Sequence, residues 1–157
     1  MYGSAWTSRA RPASHHPRDH RAVTAEPGTA GSGRCGTSIL IVEDDPGAIE
    51  AFTHVLNAEG YTVRVATDGI SAIAEIERAV PAAIVLDLQL PLSDGLEVLR
   101  RLRTMTGLAD IPVAIVTGNY MLDEQVAGAL RTLGATVYFK PIWGDDLIQI
   151  VRTLLNT

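Results

Sequence analysis

The sequence predicts a doubly wound α/β domain: a five-stranded parallel sheet with helices on both faces. Two observations carry this. From Ser38 to the end of the chain, short β-branched apolar runs alternate with amphipathic helical patterns, five of each in 120 residues. The runs are almost uninterruptedly apolar, as strands covered on both faces must be, and do not alternate as in a sheet with one wet face.

The elements follow in order. Ser38-Ile-Leu-Ile-Val42 reads as the first strand, followed by the acidic turn Glu43-Asp44-Asp45-Pro46 and a helix with Ile49, Phe52, Val55 and Leu56 on one side. Tyr61 to Ala66 is the second strand, and Asp68-Gly69 opens a helix whose apolar positions are Ile70, Ile73, Ile76 and Val80. Ala82 to Leu86 is the third strand. A proline-containing loop follows Asp87, and Asp94 and Glu97 stand at capping-box spacing before a helix with Leu96, Leu99 and Leu102 inward. Val113 to Val116 forms the fourth strand, and Leu122, Val126, Leu130 and Leu133 mark the fourth helix. Thr136 to Phe139 is the fifth strand, and Leu147, Val151 and Leu154 face the core from the last helix.

Length and composition set the bounds. With 157 residues, 46% hydrophobic and 20% charged, the chain holds one ordinary domain with residues to spare. It has no apolar stretch near the length of a membrane span and no secretory h-region, which predicts a cytoplasmic protein. The single cysteine, Cys35, excludes an internal disulfide. Residues 1–36 hold five arginines against Asp19 and Glu26, a net +3, so the total of -5 leaves -8 for the remainder. This basic extension is rich in Gly, Pro, Ser and Ala and has no sustained period, which predicts disorder, with the folded domain spanning residues 37–157. Its arginines lack an aromatic or amphipathic pattern, and His15, His16 and His20 lack partners at ligand spacing, so neither a nucleic-acid nor a metal site is predicted there.

In doubly wound sheets, chemistry gathers beyond the carboxyl ends of the strands. Those ends carry Glu43, Asp44 and Asp45 after the first strand, Asp87 after the third, Thr117 after the fourth and Lys140 after the fifth. Lys140 is the only lysine beside twelve arginines, and it precedes Pro141. A lysine offers a compact, mobile charge where an arginine offers a planar fork, so this position points to one small anion. Carboxylates crowded on one rim call for a cation, and oxygen donors without Cys or His suit Mg²⁺. An aspartate beside Mg²⁺ and an ammonium is suited to accept a phosphoryl group, and Thr117 adds a hydroxyl donor. Each residue alone is a weak signal; their order at successive strand ends is a strong one.

The chain here resembles the receiver domains of two-component response regulators. The matching residues are Ile39-Leu-Ile-Val-Glu43-Asp44-Asp45, Asp87-Leu-Gln-Leu-Pro91-Leu-Ser-Asp94-Gly95, Thr117-Gly118 and Lys140-Pro141, over about Ser38 to Thr157. The resemblance implies the flavodoxin-like strand order 2-1-3-4-5 and a phosphoacceptor at Asp87, served by a sensor histidine kinase or histidine phosphotransfer protein. It implies Asp44, Asp87 and the Gln89 backbone carbonyl as Mg²⁺ ligands, Glu43 acting through water, and Asp45 as an auxiliary acid. Lys140 and Thr117 would meet the phosphoryl oxygens, Pro91 and Gly95 would shape the loop after the acceptor, and the Lys140-Pro141 bond would be cis. The family's switch aromatic stands three positions before the lysine, where this chain has Val137, with Tyr138 one residue later. Strand alternation would send those two side chains to opposite faces.

The expected function is a stand-alone receiver in a phosphorelay, not an enzyme, acting on an unknown downstream protein as a monomer or phosphorylation-dependent dimer. Only Asn156 and Thr157 follow Leu155, which predicts no output domain, and the acidic body predicts no nucleic-acid partner and no membrane contact. A phosphate-independent scaffold is disfavoured because the chemical positions are filled. A Mg²⁺-dependent aspartyl-phosphate phosphohydrolase would carry a second Asp two residues after its nucleophile, where Gln89 stands. Gln89 and Asn119 flank the acceptor and the threonine as candidates for tuning water access to the phosphoryl group.

Overall fold

A computed structural model describes residues 36–156. The expectation of a disordered extension, with the arginine and histidine readings attached to it, therefore lies, up to residue 35, outside the described residues. The elements are β1 (Ser38–Val42), α1 (Pro46–Ala58), β2 (Thr62–Ala66), α2 (Gly69–Arg78), β3 (Ala83–Asp87), α3 (Gly95–Thr104), β4 (Val113–Thr117), α4 (Glu124–Thr132), β5 (Thr136–Phe139) and α5 (Gly144–Leu155). All strand pairs are parallel and the order is β2-β1-β3-β4-β5, as expected. The strand order reverses between β1 and β3, so the strand-end rim opens there.

Side-chain alternation splits the core in two. Leu40, Val42, Ile84, Leu86, Val113 and Ile115 point toward α2, α3 and α4, where they meet Ile73, Ile76, Leu99, Leu102 and Leu130. Ile39, Ile41, Ala83, Val85, Ala114 and Val116 point the other way, onto Phe52 and Leu56 of α1 and Leu147, Ile150, Val151 and Leu154 of α5. β1, β3 and β4 are sandwiched between these layers, which is why they read as continuous apolar runs.

Four local expectations change. Val80 lies past the end of α2, which closes at Ala79, and both Val80 and Ile70 face solvent; Ile73 and Ile76 carry the inward face with Ala72. Asp94 caps α3 by accepting from the N–H of Leu96, two residues on, so the cap is one-sided and does not use the Glu97 spacing. Tyr61 precedes β2 but is buried in the α1–α5 layer. Leu122 and Leu133 flank α4 and pack against the opposite layer.

Gly95 begins α3 directly beneath the end of β3. A methyl group there would overlap the carbonyl oxygen of Asp87 and stand 2.9 Å from the Leu88 Cα, backbone atoms that cannot step aside. Gly95→Ala is therefore expected to destabilise the domain by about 2–3 kcal/mol, the usual cost of forced overpacking, measured by urea denaturation. A change below about 0.5 kcal/mol, the ordinary range of a surface substitution, would contradict this close approach.

Candidate phosphoacceptor site

The ends of β1, β3, β4 and β5 bring together every strand-end residue singled out from the sequence except Asp45. Glu43 and Asp87 are 3% and 6% exposed, Thr117 is fully buried, and Asp44 is open to solvent. Carboxylate oxygens of Glu43, Asp44 and Asp87 lie within 4.8 Å of one another. Lys140 Nζ donates to Asp87 Oδ2 at 2.7 Å and to Glu43 Oε2 at 2.7 Å. Burial works against the Lys140 ammonium, but its hydrogen bonds to Asp87 and Glu43, reinforced by their charges, outweigh it and raise its pKa above the ordinary lysine value.

The remaining acceptors are also spoken for. Glu43 Oε1 takes the N–H groups of Asp44 and Asp45, both at 3.1 Å, so this carboxylate is held from both ends by the protein. Asp87 Oδ1 accepts from the Gln89 N–H at 2.9 Å, which fixes the acceptor's rotamer to the start of the β3–α3 loop. Asp45 stands apart from the acidic group and caps α1 through the Ala48 N–H at 2.7 Å, with Pro46 opening the helix. Its carboxylate has a structural occupation as the cap of α1.

Three carboxylates facing one ammonium leave an excess of negative charge on the rim. The donors of that group are all oxygens and Asp44 is exposed, a set that fits a hard divalent cation retaining water, so the residues present fit Mg²⁺.

β5 joins the rim through backbone bonds: the Lys140 N–H donates to the Thr117 carbonyl at 2.8 Å, and the Lys140-Pro141 peptide is cis. Thr117 Oγ1 accepts from the Asn119 N–H at 3.1 Å. The register of β5 settles the placement of its aromatics. Val137 packs into the α2–α4 layer and Tyr138 into the α1–α5 layer. The aromatic on the Val137 face is Phe139, which is 43% exposed and stacks on Tyr120 of the β4–α4 loop with ring centroids 5.4 Å apart. Tyr120 also donates its hydroxyl to the Lys140 carbonyl. The sequence reading missed this pair, although the two-residue period of a strand, counted back from Lys140, would have grouped Phe139 with Val137.

The arrangement of a doubly wound sheet, an acidic trio at the rim and a lysine clasping the central aspartate defines a receiver. Residues 39–152 match the family model of the response regulator receiver domain, and the chain belongs to that family. It is 40% identical over 119 residues to the response regulator MprA of Mycobacterium leprae, a match covering 75% of this chain and 50% of that protein. The chain thus spans about half the length of the curated relatives it matches. Among solved structures, a putative response regulator from Chloroflexus aurantiacus superposes with a TM-score of 0.70 at 29% identity, covering 78% of this chain and 99% of that one. The receiver domain of sensor histidine kinase PA1611 from Pseudomonas aeruginosa, solved with a magnesium ion coordinated in its active site cleft, gives a TM-score of 0.70 at 27% identity, covering 78% of this chain and 100% of that one. The chain is a receiver domain of two-component signalling, a class of signalling proteins and not of classical enzymes. No helix among the described residues is long and apolar enough to cross a membrane.

Proposed function

We propose that Asp87 accepts a phosphoryl group from a phosphohistidine on a sensor histidine kinase or phosphotransfer protein, and that the domain spanning residues 37–157 passes this state to a protein target. The observation that carries this reading is the Lys140 ammonium held 2.7 Å from both Asp87 and Glu43 within the acidic trio. An Asp87 carboxylate oxygen attacks phosphorus, the phosphorus–nitrogen bond breaks, and its electron pair returns to the imidazole, which takes up a proton. Lys140 then follows the charge outward onto the phosphoryl oxygens. Thr117 accepts from Asn119 and so keeps its own proton to donate to the same group.

Asp44, Asp87 and the carbonyl of Gln89 would hold Mg²⁺, with Glu43 behind them. Bound there, the ion would offset charge on the transferring group. Likeness to the magnesium-bound PA1611 receiver supports this assignment. An apolar groove of about 560 Å³ between α1 and the β5–α5 loop, lined by Phe52, Val55, Ile142 and Trp143, adjoins Lys140 and offers a protein phosphodonor a surface beside the acceptor.

The added phosphoryl group brings roughly -1.5 to -2 charge and three acceptor oxygens to the rim. A Thr117 hydroxyl drawn toward it pulls on the Asn119 N–H, and through the β4–α4 loop on Tyr120 and Phe139. That exposed pair is where a partner reads the state. A protein-directed output is part of this proposal, supported by the net -8 of the residues beyond 36, which disfavours direct nucleic-acid binding by this domain.

Incubation with Mg²⁺ and acetyl phosphate tests the reading. Intact mass spectrometry is expected to show a single acid-stable, base-labile phosphoryl adduct that forms only with the metal. Absence of any adduct would leave a receiver-shaped scaffold.

A further inference from the structure

The loop between β3 and α3 is folded back on itself. Gln89 and Asp94 form an isolated antiparallel bridge, the Gly95 N–H donates to the Leu88 carbonyl at 2.9 Å, and Leu92 turns the tip with φ of 65°. One end of this loop is tied to the acceptor by the bond from the Gln89 N–H to Asp87 Oδ1. The other end is tied to a different element: Ser93 Oγ accepts the N–H of Gly69 at 2.9 Å.

Gly69 is the first residue of α2, and its N–H is one of the groups that a helix leaves without an internal partner. Asp68 caps the helix through the Ser71 N–H, so its carboxylate satisfies the third residue and Ser93 satisfies the first. Gly69 is buried, and a methyl group there would overlap Ser93 Oγ and stand 2.8 Å from Val98 Cγ2. Glycine is thus what lets the β3–α3 loop come this close. Neither residue has a part in the chemistry described above.

We propose that Ser93 is a positioning residue for the metal-binding loop: by fastening the loop to the start of α2, it holds the Gln89 carbonyl, across the Gln89–Asp94 bridge, where Mg²⁺ would be bound. This rests on the proposed reading of the Asp87 site. A loop ordered beforehand loses less freedom when the ion arrives, and that difference shows as affinity. Without the hydroxyl, the Gly69 N–H loses its partner and the loop must be ordered at the moment of binding.

The test compares wild type with Ser93→Ala and with Ser93→Thr, which keeps the hydroxyl. Mg²⁺ affinity by calorimetry and amide hydrogen exchange in metal-free protein are measured together. Ser93→Ala is expected to bind Mg²⁺ about three- to tenfold more weakly, the scale of one neutral hydrogen bond. Exchange should quicken at Gly69 and across residues 89–95, and Ser93→Thr should return both toward wild type. Unchanged Mg²⁺ affinity in Ser93→Ala, beside a wild type that binds the ion, overturns the positioning role while the Asp87 site stands. Failure of Ser93→Thr to recover what Ser93→Ala lost overturns it too, because the hydroxyl would then not be the cause. A wild type that takes up no Mg²⁺ removes the Asp87 reading and this role with it, and the metal-free exchange still reports whether Ser93 fastens the loop.

Discussion

Asp87→Asn is expected to leave a folded receiver that takes up no phosphoryl group. An amide is not a competent nucleophile toward phosphorus. The substitution removes one partner of Lys140 but leaves Glu43 Oε2 in place, and it lowers the negative charge that Asp44 and Glu43 otherwise face. The asparagine carbonyl can still accept from the Gln89 N–H. These effects oppose each other, so folding stability should shift by no more than about 1 kcal/mol, the range of a single hydrogen bond. Intact mass after incubation with acetyl phosphate reads the first effect and urea denaturation the second. An adduct that persists in this variant would move the acceptor to another residue.

Lys140→Met should lower the stability of the metal-free protein. It leaves two nearly buried carboxylates, Glu43 and Asp87, facing each other without their shared cation. Breaking a fully buried pair costs about 3–5 kcal/mol, and partial solvent access to Lys140 lowers the expected loss to about 2–3 kcal/mol in metal-free protein. Added Mg²⁺ should return much of it, since an ion that binds only the folded state stabilises that state by mass action. Urea midpoints with and without Mg²⁺ measure both terms; a variant as stable as wild type without metal would contradict the clasp. The sign of the lysine's shift gives the pH window. With its pKa raised on folding, the ammonium contributes fully at pH values below the ordinary lysine range, and the contribution is lost as pH rises through the raised value.

Much of this site was legible because a parallel sheet turns sequence order into position. Five strands that all point one way deliver their last residues to one rim, so Glu43, Asp44, Asp87, Thr117 and Lys140 could be gathered before any geometry was known. What stayed hidden depends on contacts between segments that sequence spacing does not relate. The bond from Gly69 to Ser93 joins two loops 24 residues apart, and each member looks like an ordinary turn residue. Asp45 carries the same carboxylate as its neighbours, and only the helix beginning at Pro46 turns it into a cap. Val80 fits the apolar spacing of α2 but falls beyond the point where the backbone leaves the helix at Ala79. Tyr138 was singled out as an aromatic near the lysine, whereas register assigns it to the α1–α5 layer and puts Phe139 on the face of Val137.

The most direct measurement locates the phosphoryl bond itself. Protein incubated with Mg²⁺ and acetyl phosphate is treated with borohydride, which reduces an acyl phosphate to an alcohol, and is then mapped by peptide mass spectrometry. Reduction confined to position 87, dependent on Mg²⁺ and absent without the phosphodonor, is the expected result. Reduction at Asp44 or elsewhere, or none in wild type that binds Mg²⁺, would contradict a receiver whose lysine clasps the phosphoacceptor.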